Sequence, residues 1–215
     1  MTNRTRFAFF AAVLFLAIGI VLHWFLDRAA RSQALQIAEQ QNTALCRTLA
    51  STLRRDVRQL LTDAQTVEPR ALQNDPRVAA FRSTLQSHLL GLPIVKVKIY
   101  DGRGMTVFST ERAQIGEDKS GNAGFRQALS GRVATELTYR NQFSAFDDVI
   151  EDRNVLSSYV PIEDFAGRID SVFEIYQDVT PLLKSLQQDG LIRAAVILGL
   201  LCAAYVVLVL LRSTT

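Results

Sequence analysis

Val172-Phe173-Glu174-Ile175-Tyr176-Gln177-Asp178-Val179-Thr180-Pro181-Leu182-Leu183 is the stretch that decides the fold. Its first half closes a segment, Ile169 to Gln177, that reads as a β-strand rich in β-branched and aromatic residues. Its second half starts a helix. Asp178 and Thr180-Pro181 are start signals, because Pro suits a first helical turn. Leu182, Leu183 and Leu186 carry that helix across Asp189-Gly190 into an apolar run. A strand therefore leads almost directly into a long apolar helix.

That run, Ala194 to Leu211, holds 18 residues without a charge. A core helix of a water-soluble protein keeps a polar face, so a membrane span over 191–211 is expected. A second run, Phe7 to Leu26, has the same character, and about 20 apolar residues cross a bilayer as a helix. It outlasts the apolar core of a signal peptide, and His23, Trp24 and Phe25 suit a membrane interface better than a cleavage site. Tyr205 is expected to touch the other span, and Gly199, Ala203 and Ala204 would permit close helix approach. Arg4, Arg6 and Arg212 lie outside the two runs, leaving 21 Lys and Arg between them to balance 21 Asp and Glu. Positive charge beside a span marks the cytoplasmic side. The expected layout is a cytoplasmic N-terminus (1–6), span one (7–26), a displayed domain (27–190), span two (191–211) and a cytoplasmic tail (212–215). The charge balance of the displayed part gives no footprint for nucleic acid. Cys46 and Cys202 fall in different compartments of this layout, so Cys46 is read as a buried free thiol.

Within the displayed part, Leu35, Ala38, Leu45, Leu49, Leu53, Val57 and Leu60 recur at helical spacings, predicting a long amphipathic helix over 29–63. Asp75-Pro76 starts a second helix through Val78, Phe81 and Leu85, ended by Gly91 and Pro93. Val95, Val97 and Ile99 alternate with Lys96 and Lys98, the period of a strand. Asp101-Gly102-Arg103-Gly104 turns it back into Thr106 to Thr110. A short helix at Phe125 to Leu129 comes next. A third strand is expected at Val133 to Tyr139, a polar stretch from Asn141 to Asn154, a fourth strand at Val155 to Ile162, and the fifth at Ile169. The sheet region spans 94–178.

Ile99-Tyr100-Asp101-Gly102-Arg103-Gly104 followed by Val107-Phe108-Ser109-Thr110 resembles the first hairpin of the extracytoplasmic PAS-like sensors, the Cache superfamily. Gly124-Phe125 and Ala128-Leu129-Ser130-Gly131 resemble the helix after it. Ser158-Tyr159-Val160-Pro161-Ile162 and the opening stretch are similar to the closing part of such sensors, ahead of the second span in bacterial sensor histidine kinases and diguanylate cyclases. The resemblance covers Ile94 to Leu186. It implies an α+β fold, a PAS-like five-stranded antiparallel sheet packed on the long N-terminal helix and flanked by two transmembrane helices. It also implies a ligand pocket on the open face and work as a homodimer in the bacterial inner membrane, with the domain periplasmic. Asp170-Ser171-Val172 departs from it where many members carry Gly.

Position within the resemblance points to Phe108, Arg126, Tyr139, Arg140, Phe143, Arg153 and Tyr159 as ligand-binding candidates. Arginines hold carboxylates through paired hydrogen bonds and aromatics wall pockets, so an anionic small molecule is one expected ligand. Asp147, Asp148, Glu151 and Asp152 are read as a solvated acidic loop, since the glycine and spacing of a calcium loop are missing. No nucleophile–base pair, nucleotide-binding glycine motif or phospho-accepting histidine context is present, and no cofactor is expected. The chain is read as the input half of a receptor whose output, a kinase or cyclase, lies outside it. The alternative is a membrane-anchored domain that binds a partner and no small ligand.

Overall fold

The structure, a computed structural model, describes residues 3–146 and 148–213. The chain divides into two units, 1–36 with 181–215, and 37–180.

The first unit holds the two apolar runs. They lie in helix α1 (Asn3–Thr52) and helix α5 (Thr180–Ser213). Both are long and apolar enough to cross a membrane, and their most apolar windows are 6% and 0% buried. A soluble core helix would be covered, so this exposed apolar surface marks a membrane protein. In this unit Gly19 is the close-approach residue, since a Cβ there would meet Leu201 Cδ1 at 2.8 Å. Gly199, expected in that role, faces open space. Tyr205 reaches the other run as expected, with its hydroxyl donating to the Ala8 carbonyl at 3.3 Å and its ring edge-on to Phe15. His23 is half-buried. It lines the apolar groove between the two helices, and its Nδ1 is buried there.

The second unit starts inside α1. Pro and Gly are absent from Ile20 to Glu68, which lets the helix run on. The expected long helix appears as two pieces, the end of α1 and α2 (Arg54–Thr66), divided at Leu53. After a 3₁₀ turn at Pro69–Asn74 comes α3 (Pro76–Leu89). Asp75 caps it by accepting the Arg77 N–H at 2.8 Å, with Pro76 at the first position. Strands β1 (Ile94–Asp101) and β2 (Thr106–Ser109) form the expected hairpin. Its turn is held by Asp101, whose Oδ1 accepts the N–H groups of Arg103 and Met105. Gly104 is required there: its φ is +94°, and a Cβ would meet Ser120 N at 2.6 Å. A 3₁₀ turn (Arg112–Gln114), α4 (Ala123–Leu129), β3 (Ala134–Ala145), β4 (Asp148–Glu163) and β5 (Ile169–Asp178) complete the unit.

The five strands form one antiparallel sheet in the order β2-β1-β5-β4-β3. The polar stretch from Asn141 to Asn154 belongs to β3 and β4 instead of a loop. There the two strands pair only with each other, Phe143 opposite Ile150 and Gln142 opposite Glu151. Its covered apolar residues are Phe143, Ala145, Phe146 and Ile150, and most of the rest are polar, which is why the pattern hides it. Asp148, Glu151 and Asp152 lie on β4; Asp147 is outside the described residues.

Strand alternation sorts the sheet into two faces. One face carries Val97, Ile99, Phe108, Val160, Phe173 and Ile175. These pack with Cys46, Leu49, Leu53, Val57 and Leu60 of α1 and α2, and with Val78, Phe81 and Leu85 of α3. Burying each such side chain contributes roughly 1.5–3 kcal/mol, so this face is the main source of cohesion. Among the described residues, a buried polar contact crosses it. The Asn42 amide on α1 donates to Ser158 Oγ on β4 at 3.1 Å, both residues being buried.

Asn42→Ala leaves the Ser158 hydroxyl without its donor, and chemical denaturation of the full chain should report a loss of about 1–3 kcal/mol. Cys46 is fully buried and burial pushes its thiol up. It should resist alkylation in the folded chain and react on unfolding.

Candidate functional site

The opposite face of the sheet is polar at its centre. In β1 the residues between the core positions are Lys96, Lys98 and Tyr100; in β5 they are Val172, Glu174 and Tyr176. Register aligns them in rows. Lys98 lies across from Glu174, which lies across from Tyr159 of β4. Lys96 lies across from Tyr176, which lies across from Ser157. A smaller apolar cluster of Tyr100, Phe125, Ala128, Ala134, Tyr159 and Val172 borders these rows, with α4 laid over it. The rings of Tyr100 and Tyr159 are stacked, and Phe125 meets Tyr100 edge-on.

α4 can lie this close because residue 124 is glycine. A Cβ on Gly124 would fall 2.4 Å from the Tyr159 ring. The helix is aimed by Asn122, whose side chain accepts the Phe125 N–H at 2.9 Å.

Glu174 is the centre of the face and is 1% exposed. Its Oε2 accepts a short hydrogen bond from the Tyr100 hydroxyl. The Tyr159 and Tyr176 hydroxyls also approach this carboxylate, but among the described residues none closes a hydrogen bond on Oε1. Lys98 is 4% exposed, and burial pulls its ammonium below the ordinary lysine range, partly offset by the negative charge of Glu174. Lys96 is paired with Glu111 at 2.5 Å and sits 4.2 Å above the Phe143 ring. Phe143 in turn contacts Tyr176, ring centroids 5.2 Å apart. The ribbon thus folds back over the sheet, tied down by Phe146 N–H to the Val95 carbonyl at 3.1 Å and by Arg82 to the Phe146 carbonyl at 2.7 Å.

Of the residues singled out from the sequence, the structure brings Phe143 and Tyr159 to this face. Arg140 is exposed on β3, and its charge is felt by Tyr176. Arg153, opposite Arg140, points Nη1 at Asp178 at 3.6 Å. Tyr139 is exposed and donates to Asp152 at 2.8 Å. Arg126 is exposed on α4. Phe108 is a correction: it pairs with Ile99, faces the helices and packs edge-on against Phe81 at 4.8 Å. The residues not anticipated are Lys96, Lys98, Tyr100, Glu174 and Tyr176. Their signal was present as charges and hydroxyls spaced by two within the two central strands.

A groove of about 550 Å³ lies at the far end of the sheet, lined by Arg58, Thr62, Gln65, Asp101, Arg103 and Asp170. Arg103 is paired with Asp101 at 2.9 Å and its side chain is 69% exposed. The Arg103 charge is hydrated and matched by Asp101, so the buried face is the stronger candidate.

Burial first, and the Glu174 charge second, raise the phenols of Tyr100, Tyr159 and Tyr176 above their ordinary value of 10.0. A group raised in the folded state stabilises fully below the unfolded value and loses that stability as pH climbs past it. Absorbance titration should show these three phenols ionising only with alkaline unfolding above pH 10. Gly124→Ala should displace Tyr159 and cost about 1–3 kcal/mol, read by denaturation.

No family model matches the chain, and no curated protein matches it. Solved structures do. The sensor domain of the histidine kinase DctB from V. cholerae aligns over 81% of this chain and 61% of its own, at 16% identity and a TM-score of 0.54. The E. coli DcuS sensor domain aligns over 73% and 96%, at 18% identity and a TM-score of 0.46. The chain thus spans less than two thirds of the DctB structure. The long helix, the five-stranded order β2-β1-β5-β4-β3 and the likeness to the DctB structure together give the fold: residues 37–180 have a PAS-like fold, the fold of that sensor domain.

Proposed function

We propose that residues 37–180 are the periplasmic input domain of a two-pass membrane receptor that works as a homodimer, with both termini cytoplasmic. The output, a histidine kinase or diguanylate cyclase, lies outside this sequence. A small ligand settles on the polar sheet face, against Lys98, Glu174, Tyr159 and Tyr176, with Phe143 over it and Arg140 at the rim.

The observation that carries this reading is where Glu174 and Tyr176 sit. They belong to β5, and α5 begins at Thr180, four residues beyond Tyr176. The junction is bonded to the ribbon that covers the face. Asn154 N–H donates to Thr180 Oγ1 at 2.8 Å, and Val179 N–H donates to the Asn154 carbonyl at 2.9 Å. Asp178 N–H donates to the Pro93 carbonyl at 2.8 Å, and Asp178 Oδ1 accepts from Thr180 N–H. A ligand that moves Phe143 or Tyr176 therefore pulls on the start of α5. It shifts the balance between two states only by binding them unequally.

Exposed Phe165, clasped by Arg54 at 4.2 Å and Arg58 at 5.2 Å, favours a second reading, a domain that docks a protein partner.

α5 is helical through Gly190. Each residue inserted there rotates the remainder of the helix by about 100°. In a full chain fused to a cytoplasmic reporter, insertions of one to three residues at Gly190 should change output, and an insertion of about seven, close to two turns, should restore it. Normal output from every insertion, with loss of function on Phe165→Ala, would favour the docking reading.

A further inference from the structure

We infer that α1 carries, at the outer edge of the first apolar run, a site for the phosphate of an anionic phospholipid, held by Arg28 and Arg31 beside Trp24. This rests on the two-pass layout and is independent of what the sheet face binds.

Trp24, Asp27, Arg28, Arg31, Ser32 and Leu35 line an open groove of about 430 Å³ along α1. Spacings of three and four residues put these side chains on one stripe of a helix. Trp24 stands near the end of the apolar run and is 61% exposed. An amphipathic indole belongs at the boundary between hydrocarbon and headgroups. The Arg28 guanidinium lies over that ring, 5.7 Å from its centroid. At 1.5 Å per residue, Arg28 and Arg31 rise about 6 and 10 Å above Trp24. That is headgroup depth, because the headgroups add about 5–8 Å to each side of the hydrocarbon core.

The charges of the groove do not cancel. Its acid, Asp27, is already paired with Arg193 of α5 at 3.4 Å. Arg28 and Arg31 are exposed, and among the described residues neither makes an ion pair. Two positive charges are therefore left at headgroup depth. Lys and Arg beside a span ordinarily collect on the cytoplasmic side, so topology gives no reason for arginines on the displayed side. Helix residues three apart have Cβ atoms about 5–6 Å from one another, close enough for two guanidinium groups to share one phosphate through paired N–H donors. The Ser32 hydroxyl adds a further donor. A zwitterionic headgroup would bring its own ammonium up to these arginines, and an anionic headgroup does not. The apolar run below Trp24 offers the acyl chains a surface that a soluble phosphate ester cannot use, which favours a lipid as the occupant. A headgroup held here would set the depth of α1 in the bilayer.

Trp24 is the sole tryptophan of the chain, so its fluorescence reports on this groove. The test places the full chain in phosphatidylcholine nanodiscs doped with a small fraction of brominated phosphatidylglycerol or brominated phosphatidylcholine, and reads quenching of the indole by bromine. Phosphatidylglycerol should quench more than phosphatidylcholine at equal fraction. Arg28→Gln with Arg31→Gln should reduce that preference roughly thirtyfold, the contribution of two arginines at an anionic surface. Arg4→Gln with Arg6→Gln, which removes the same charge from the other end of the run, should leave it intact. Soluble glycerol phosphate should not displace the brominated lipid. If the Arg28 and Arg31 variant fails to insert, raising the salt should weaken the wild-type preference, and a preference indifferent to salt would count against the site. Equal quenching by the two lipids overturns the proposal, as does a preference that survives loss of Arg28 and Arg31 or disappears with Arg4 and Arg6. Displacement by glycerol phosphate overturns the lipid as the occupant. Nanodiscs expose both leaflets, so the outcome does not depend on which ends are cytoplasmic, and the Gly190 insertions judge the sensor reading separately.

Discussion

Everything in the 37–180 unit depends on the two-residue period of its central strands. β1 and β5 are neighbours in the middle of the sheet, and each alternates between apolar and polar side chains. Val97, Ile99, Phe173 and Ile175 go to the helices, so Lys98 and Glu174 must go to the other face. A slip of one residue would drive two charges into the helix-side core and expose four large apolar groups. The register that builds the core is thus the register that assembles the polar face.

That face is enclosed by the same economy of parts. Gly124 lets α4 close on Tyr159, and the β3–β4 ribbon bends Phe143 over Lys96 and Tyr176. The ribbon is also bonded to the end of β5 through Asn154 and Thr180. Within the 37–180 unit, the ribbon that carries Phe143 is thus hydrogen-bonded to Val179 and Thr180 at the end of β5. The helix side is mainly apolar, with Asn42, Ser158 and Ser171 among its buried polar residues. The polar side buries Lys98 and Glu174, with the hydroxyls of Tyr100, Tyr159 and Tyr176 gathered around the carboxylate.

Much of the fold was legible in the sequence, for physical reasons. The hairpin announced itself through Lys96 and Lys98 alternating with Val and Ile, and through Asp101-Gly102-Arg103-Gly104. The helix starting at Pro76 was marked by its Asp75 cap. The extensions of β3 and β4 were hidden, since a two-stranded ribbon that covers the sheet with only a few apolar residues has little apolar period to read. The site was only half legible. Phe143 and Tyr159 do lie on the polar face, but Phe108 lies on the helix side, because a strand phenylalanine gives no sign of which face it takes until the register is known. Lys98 and Glu174 were passed over for the same reason: each looked like the solvent side of a half-buried strand, and only their pairing reveals that both are buried.

The central claim is that Glu174 and the residues around it sense, and that α5 reports. The most direct measurement is the output of a cytoplasmic reporter fused to the full chain carrying Glu174→Gln, at membrane levels matched to wild type. The account predicts an output that stays fixed across growth media that move the wild-type output. A Glu174→Gln chain that responds to those media as wild type does would contradict it.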